Sequence, residues 1–214
     1  MQALTVLCCA LCGIFGYLIG SVSISVLLSG LIFHNDIRKR GSGNAGAANA
    51  ARVYGLGVGI ATFAGDFAKG VLAVWLARLI GGAMIGAEVR ELCTLIGGAA
   101  CLLGHCFPLY FHFRGGKAVS TGAAMALMID RRIFLIIIAV FIIAAFISHI
   151  ASVSSMSASI ALVVCAILFN VPMYYLWLSL FTCLLVIFMH RGNIRRLLHG
   201  QEPHFSFGSR KKSE

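Results

Sequence analysis

Three stretches of this chain carry most of the side chains able to do chemistry. They read GSGNAGAANAAR at 41–52, GHCFPLYFHFRGGKAVSTG at 104–122 and HRGNIRRLLHGQEPHF at 190–205. In the first, Ser42 offers a hydroxyl and Asn44 an amide. The flanking glycines, Gly43 among them, let the backbone approach a ligand closely. Successive N–H groups in such a turn form an anion nest. The alanine-rich 45–51 can start a helix whose positive end faces the same anion, and Arg52 suits a phosphate held through two parallel hydrogen bonds. Gly115, Gly116 and Lys117 repeat this logic: a flexible backbone lending N–H groups, then a point charge, then the hydroxyls of Ser120 and Thr121. His190 and Asn193 are three apart, so on a helix they share a face. There they can position a carbonyl or phosphoryl group or move a proton. Glu202 can orient one of the nearby cations. Together the stretches describe a site for two phosphate-bearing substrates.

Several other chemistries lack their residues. Lys117 is followed by Ala118, not Ser or Thr, and no glycine stands five residues before Gly116, so this is not a nucleotide-binding P-loop. His105 and His112 are seven apart but have no Cys or carboxylate to complete a metal site, and there is no HExxH. The eight cysteines lie mostly in apolar runs. Cys9 and Cys12 form a CxxC without a second pair, so neither a structural metal nor a disulfide framework is expected. No metal and no cofactor is expected. The net charge of +10 sits at the ends of apolar runs, which points to membrane topology and anionic headgroups, not nucleic acid.

The elements that must position these groups are membrane helices. The 214 residues are 60% apolar and 11% charged, against about half and a quarter in a soluble domain. Apolar runs fall at about 4–33, 53–80, 92–111, 118–129, 133–149, 158–169 and 173–189. The expected fold is an all-α polytopic membrane protein of about seven transmembrane helices. One domain covers 1–205, with a basic tail at 206–214. The apolar start has no basic n-region and is too long for a signal sequence, so it reads as the first span. Arg38, Lys39, Arg40, Arg52, Arg114, Lys117, Arg191, Arg195, Arg196, Arg210, Lys211 and Lys212 lie at one set of boundaries. Arg78, Arg90, Arg131 and Arg132 lie at the other. The richer set belongs inside, which puts the N-terminus outside, the C-terminus in the cytoplasm and all three polar stretches on the cytoplasmic side. Inside the second run, Asp66 and Lys69 are three apart and able to pair; an intramembrane pair of this kind ties helices together or walls a polar pocket.

These motifs resemble the bacterial acyl-phosphate-dependent glycerol-3-phosphate acyltransferases, the PlsY family. Gly41 to Arg52 is similar to the family's first motif, and Gly104, His105, Phe107 and Pro108 followed by Gly115, Gly116 and Lys117 to its second. The third is matched by His190, Arg191, Asn193, Ile194, Arg196, Leu197, Gly200 and Glu202, and a span motif by Asp66, Lys69 and Gly70. Ala48, Ala118 and Ser120 depart from it, standing where Thr, Gly and Ala are usual. The resemblance implies acyl transfer from an acyl phosphate to the 1-hydroxyl of sn-glycerol 3-phosphate. It gives 1-acyl-glycerol 3-phosphate and phosphate in the first step of phospholipid synthesis, at the bacterial inner membrane and downstream of an acyl-phosphate synthase. It implies roles for Ser42, Lys117, His190 and Asn193 at the reaction, for Gly43, Asn44, Arg52, Gly115, Gly116 and Thr121 in phosphate binding, and for Asp66, Lys69, His105 and Glu202 in support. The alternatives are a membrane transporter for organophosphate anions and a non-catalytic membrane scaffold with a basic face. Against the transporter stand the absence of an internal repeat and the grouping of polar motifs on one side.

Overall fold

The computed structural model describes residues 2–84 and 87–204; the basic tail expected at 206–214 lies outside the described residues. In chain order the helices are α1 (Gln2–Ser21), α2 (Ile24–Phe33), α3 (Ala47–Tyr54), α4 (Leu56–Met84), α5 (Ala87–Cys106), α6 (Val119–Ile129), α7 (Arg131–Ser148), α8 (Ala151–Leu168), α9 (Met173–Met189) and α10 (Arg191–Leu198). Two short 3₁₀ turns, Ile37–Lys39 and Leu109–Phe111, sit in the loops. Among the described residues there is no strand, as expected where backbone must be satisfied inside lipid.

All seven apolar runs are helical, but not all are long enough to cross. Gln2–Phe33, Leu56–Gly82, Ala87–Phe111, Arg131–Ser148 and Ala151–Leu168 each suffice, and Met173–Met189 makes a sixth if taken with α10, from which it is bent by 55°. Length therefore gives five or six crossings. The helix α6 has 11 residues, a rise of about 16 Å, roughly half the ~30 Å hydrocarbon core. It still reverses the chain, because Asp130 caps the next helix by accepting from the Arg132 N–H at 2.7 Å. α7 returns over 18 residues, so the start of α6 is recessed by about 10 Å from the end of α7 at 1.5 Å per residue. Lys117, just before α6, lines a cavity at this end of the bundle.

α1 and α5 pack against each other more extensively than any other two helices described, and glycine is the reason. A Cβ on Gly16 would overlap the carbonyl of Gly97, and one on Gly20 would overlap that of Cys101. Small residues four apart let two backbones touch where side chains would hold them off. Gly20→Ala is expected to cost about 1–3 kcal/mol, because backbone cannot rotate away as a side chain can. Thermal unfolding in detergent checks this; an unchanged Tm would contradict the contact.

The first long span breaks between α1 and α2, and the break is held by the second. Lys69 donates to the carbonyl of Val22 and pairs with Asp66 at 2.8 Å. Both are almost fully buried. The pair thus ties helices together, one of the two roles open to it.

Candidate active site

The loop between α2 and α3 is organised by a residue whose importance the motif did not reveal. Asn49 is 2% exposed. Its Oδ1 accepts from the Ser42 N–H at 2.8 Å, and its Nδ2 donates to the carbonyls of Arg40 at 3.0 Å and Asn44 at 2.9 Å. The turn needs left-handed backbone at Gly41 (φ +59°) and Gly43 (φ +72°), and a Cβ on Gly41 would overlap Asn49 Oδ1. The backbone here closes on Asn49, so the Ser42 N–H is already committed and the loop presents side chains to the cavity.

Two bridges join this loop to the one before α6. Arg38 donates to the carbonyl of Phe111 at 2.6 Å, lies over the Phe111 ring and is paired with Asp36 at 2.8 Å. Asn44 Nδ2 donates to the carbonyl of Gly115 at 3.3 Å. Arg38 is thus a strut as well as a boundary charge.

In the second loop, the Gly115 N–H donates to the carbonyl of Cys106 at 3.2 Å and that of Gly116 to the carbonyl of His105 at 3.0 Å. The expectation that these glycines lend their N–H groups to a phosphate is therefore corrected: the N–H groups close the end of α5. Glycine is required here for room, since a Cβ on Gly115 would meet the His105 carbonyl and one on Gly116 the His105 ring. His112 lies beyond Pro108 and shares no helix with His105, because α5 ends at Cys106. Ala118 adopts left-handed backbone (φ 59°), which costs about 1 kcal/mol with a Cβ, a cost glycine would not carry. Thr121 is also corrected. It is fully buried and turned away from the cavity, and Ser120, one residue earlier on α6, faces it instead.

The third stretch closes the site. Lys117 Nζ donates to Asn193 Oδ1 at 2.5 Å, and Asn193 Nδ2 donates to Glu202 Oε1 at 2.5 Å. Glu202 also accepts from Ser152 at 2.8 Å and from Arg196 Nε at 2.7 Å. The starts of α6, α8 and α10 therefore meet at one end of the bundle. Burial pushes the Glu202 carboxyl up, but the hydrogen bonds from Asn193, Ser152 and Arg196 together outweigh it and hold it below the usual range. Burial pushes the Lys117 amine down to about 8; Arg196 and Arg52 push the same way, and Glu202 opposes them. His190 Nδ1 lies 2.8 Å from the carbonyl of Val186. A carbonyl only accepts, so Nδ1 carries the proton in the neutral ring and Nε2 keeps its lone pair.

These groups surround two adjoining cavities. The larger, ≈ 870 Å³, runs from Ser42, Arg52, Lys117 and His190 inward between apolar walls that include Leu56, Phe63, Ile137, Phe141 and Leu162. Asp66 and His105 line it too. The smaller, ≈ 320 Å³, is bounded by Ser42, Gly43, Asn44, Lys117, Met189, Arg191, Gly192, Asn193 and Arg196. Ser42, Asn44, Lys117, Asn193 and Arg196 border both. Lys69 reaches neither, being spent on Asp66 and Val22.

A family model described as glycerol-3-phosphate acyltransferase matches residues 10–200. The chain belongs to this family. Glycerol-3-phosphate acyltransferases of Finegoldia magna and Pseudomonas fluorescens are similar to it, the first at 36% identity over 89% of this chain and 92% of its own length. The second is 38% identical over 91% and 98%. Among solved structures, the integral membrane glycerol 3-phosphate acyltransferase PlsY in its glycerol 3-phosphate form superposes with a TM-score of 0.82 at 30% identity, covering 92% of this chain and 96% of that one. The lysophosphatidic acid form gives 0.79 at 29%, covering 92% and 95%. The chain is a multi-pass membrane protein of the acyltransferase class, as the resemblance of its motifs to the PlsY family implied.

Proposed function

We propose that the protein transfers an acyl group from acyl phosphate to the 1-hydroxyl of sn-glycerol 3-phosphate. The reading rests above all on the two cavities that share Lys117, Asn193 and Ser42: one has the apolar walls an acyl chain needs, the other only room and charge for a small phosphate ester. The acyl chain lies in the larger cavity with its phosphate at the shared border, and glycerol 3-phosphate enters the smaller one beside Arg191 and Arg196. Ser42, Arg52 and Lys117 hold the two phosphates, and His190 and Asn193 align the carbonyl with the hydroxyl.

The glycerol oxygen forms a bond to the acyl carbon, and the bond from that carbon to the phosphate oxygen breaks. The hydroxyl proton passes to the departing phosphate. That leaving group is good and already in place, so holding both partners together supplies much of the acceleration. The step requires neither metal nor cofactor. The clustering of cationic boundary residues supports a cytoplasmic active site in the bacterial inner membrane, fed by an acyl-phosphate synthase.

Palmitoyl phosphate should support lysophosphatidate formation, and palmitoyl-CoA should not; equal rates with both would contradict the donor assignment. A pH dependence also follows. The phosphate needs the charged form of Lys117, so kcat/KM should fall about tenfold per pH unit above roughly 8. Bound phosphate favours that charged form, so the limb in kcat should lie at higher pH. A flat kcat/KM to pH 10 would remove Lys117 from phosphate binding.

A further inference from the structure

The buried group Asp66, Lys69 and His105 has no part in the transfer step proposed above, yet its histidine packs against Gly116, the residue before Lys117. His105 is 5% exposed, and its Nδ1 lies 3.6 Å from Asp66 Oδ1, the same oxygen that Lys69 holds at 2.8 Å. The far side of the ring faces the second loop: a Cβ on Gly116 would overlap Nε2 and crowd Cε1 at 2.6 Å. The backbone of the same residue accepts the Gly116 N–H at 3.0 Å. The turn carrying Lys117 is therefore held from below by both the carbonyl and the ring of His105. The ring in turn lies 3.6 Å from the carboxylate of an ion pair that also fixes the break between α1 and α2.

We propose that Asp66, Lys69 and His105 form a positioning unit for Lys117, in which the paired carboxylate orients the imidazole and the imidazole seats the turn of Gly115 and Gly116. This rests on Lys117 being a phosphate ligand. His105 acts through Gly116 and is a positioning residue. Its removal lets the turn sink and frees Lys117 from Asn193.

The titration of Lys117 reads this directly and without turnover. The charged and titratable groups around its amine are Arg52 from α3, Arg191 and Arg196 from α10, Glu202 from the segment after it, His190 at the end of α9, and Asp66 and His105 on the wall of the larger cavity; of these only His105 changes, and Gly116→Ala leaves every one in place. The pH dependence of Lys117 modification by an amine-directed acylating reagent would be followed by mass spectrometry in the unsubstituted protein, His105→Ala, Gly116→Ala and the double variant. Both single variants should raise the half-modification pH from about 8 toward the ordinary lysine range and raise KM for glycerol 3-phosphate at least tenfold, with a smaller change in kcat. In the double variant the new methyl occupies space the ring has left, so its KM should be no worse than that of the worse single. A double effect equal to the product of the singles, or an unmoved Lys117 titration, would overturn the proposal. Should His105→Ala fail to fold, Gly116→Ala, which lies in a loop, carries the same test, and His105→Gln should restore part of the seat. Failure of the unsubstituted protein to transfer acyl groups would sink the reaction instead, and the Lys117 titration would still decide the positioning.

Discussion

Lys117→Ala should lower kcat/KM for glycerol 3-phosphate by about 10²–10³, the range seen when one preorganised donor to a developing anion is removed. The amine is placed by a chain of contacts, from Asn193 to Glu202 and on to Ser152 and Arg196. It borders both cavities, so its loss weakens both phosphates at once. Arg should not substitute well: its planar fork is larger than the compact ammonium and presents a different donor geometry to Asn193 Oδ1. Steady-state kinetics with each substrate varied in turn checks this. A variant with ordinary kinetics would take Lys117 out of the site.

His190→Ala should lower kcat by about 10²-fold, the loss that a misplacement of about 1 Å between reacting groups can cause, with a smaller change in KM. The ring is fixed by Nδ1 on the Val186 carbonyl, which leaves Nε2 as an acceptor able to hold the glycerol hydroxyl. In the proposed step the donor's own phosphate takes the proton, so a solvent isotope effect on turnover should survive in His190→Ala. If the effect vanished with the ring, His190 would be the base, and the proton path drawn above would be wrong.

The polar stretches and the helical class were legible because each has a local signature: small residues between cations, an intramembrane charge pair, long apolar runs. What was not legible is what depends on direction. Thr121 and Ser120 are neighbours with similar hydroxyls, and only the orientation of α6 decides that Ser120 meets the cavity. Gly115 and Gly116 read as donors to an anion, yet their N–H groups close the end of α5. The structural parts of Asn49 and Arg38 were not legible for the opposite reason. Asn49 sits inside a motif whose other members looked more reactive, and Arg38 within a charge cluster that topology already explained. An amide following a glycine-rich turn was the available signal for Asn49. The apolar run that became α6 shows a limit of counting: composition marks it as membrane-facing, but 11 residues reach only about half way across.

The most direct test is the reaction itself, with purified protein in detergent or lipid, palmitoyl phosphate and labelled glycerol 3-phosphate. Labelled lysophosphatidate and free phosphate should appear in equal amounts and should largely disappear in Lys117→Ala. Folded protein that forms no lysophosphatidate from acyl phosphates of several chain lengths, or that releases phosphate without acylating glycerol 3-phosphate, would contradict the account.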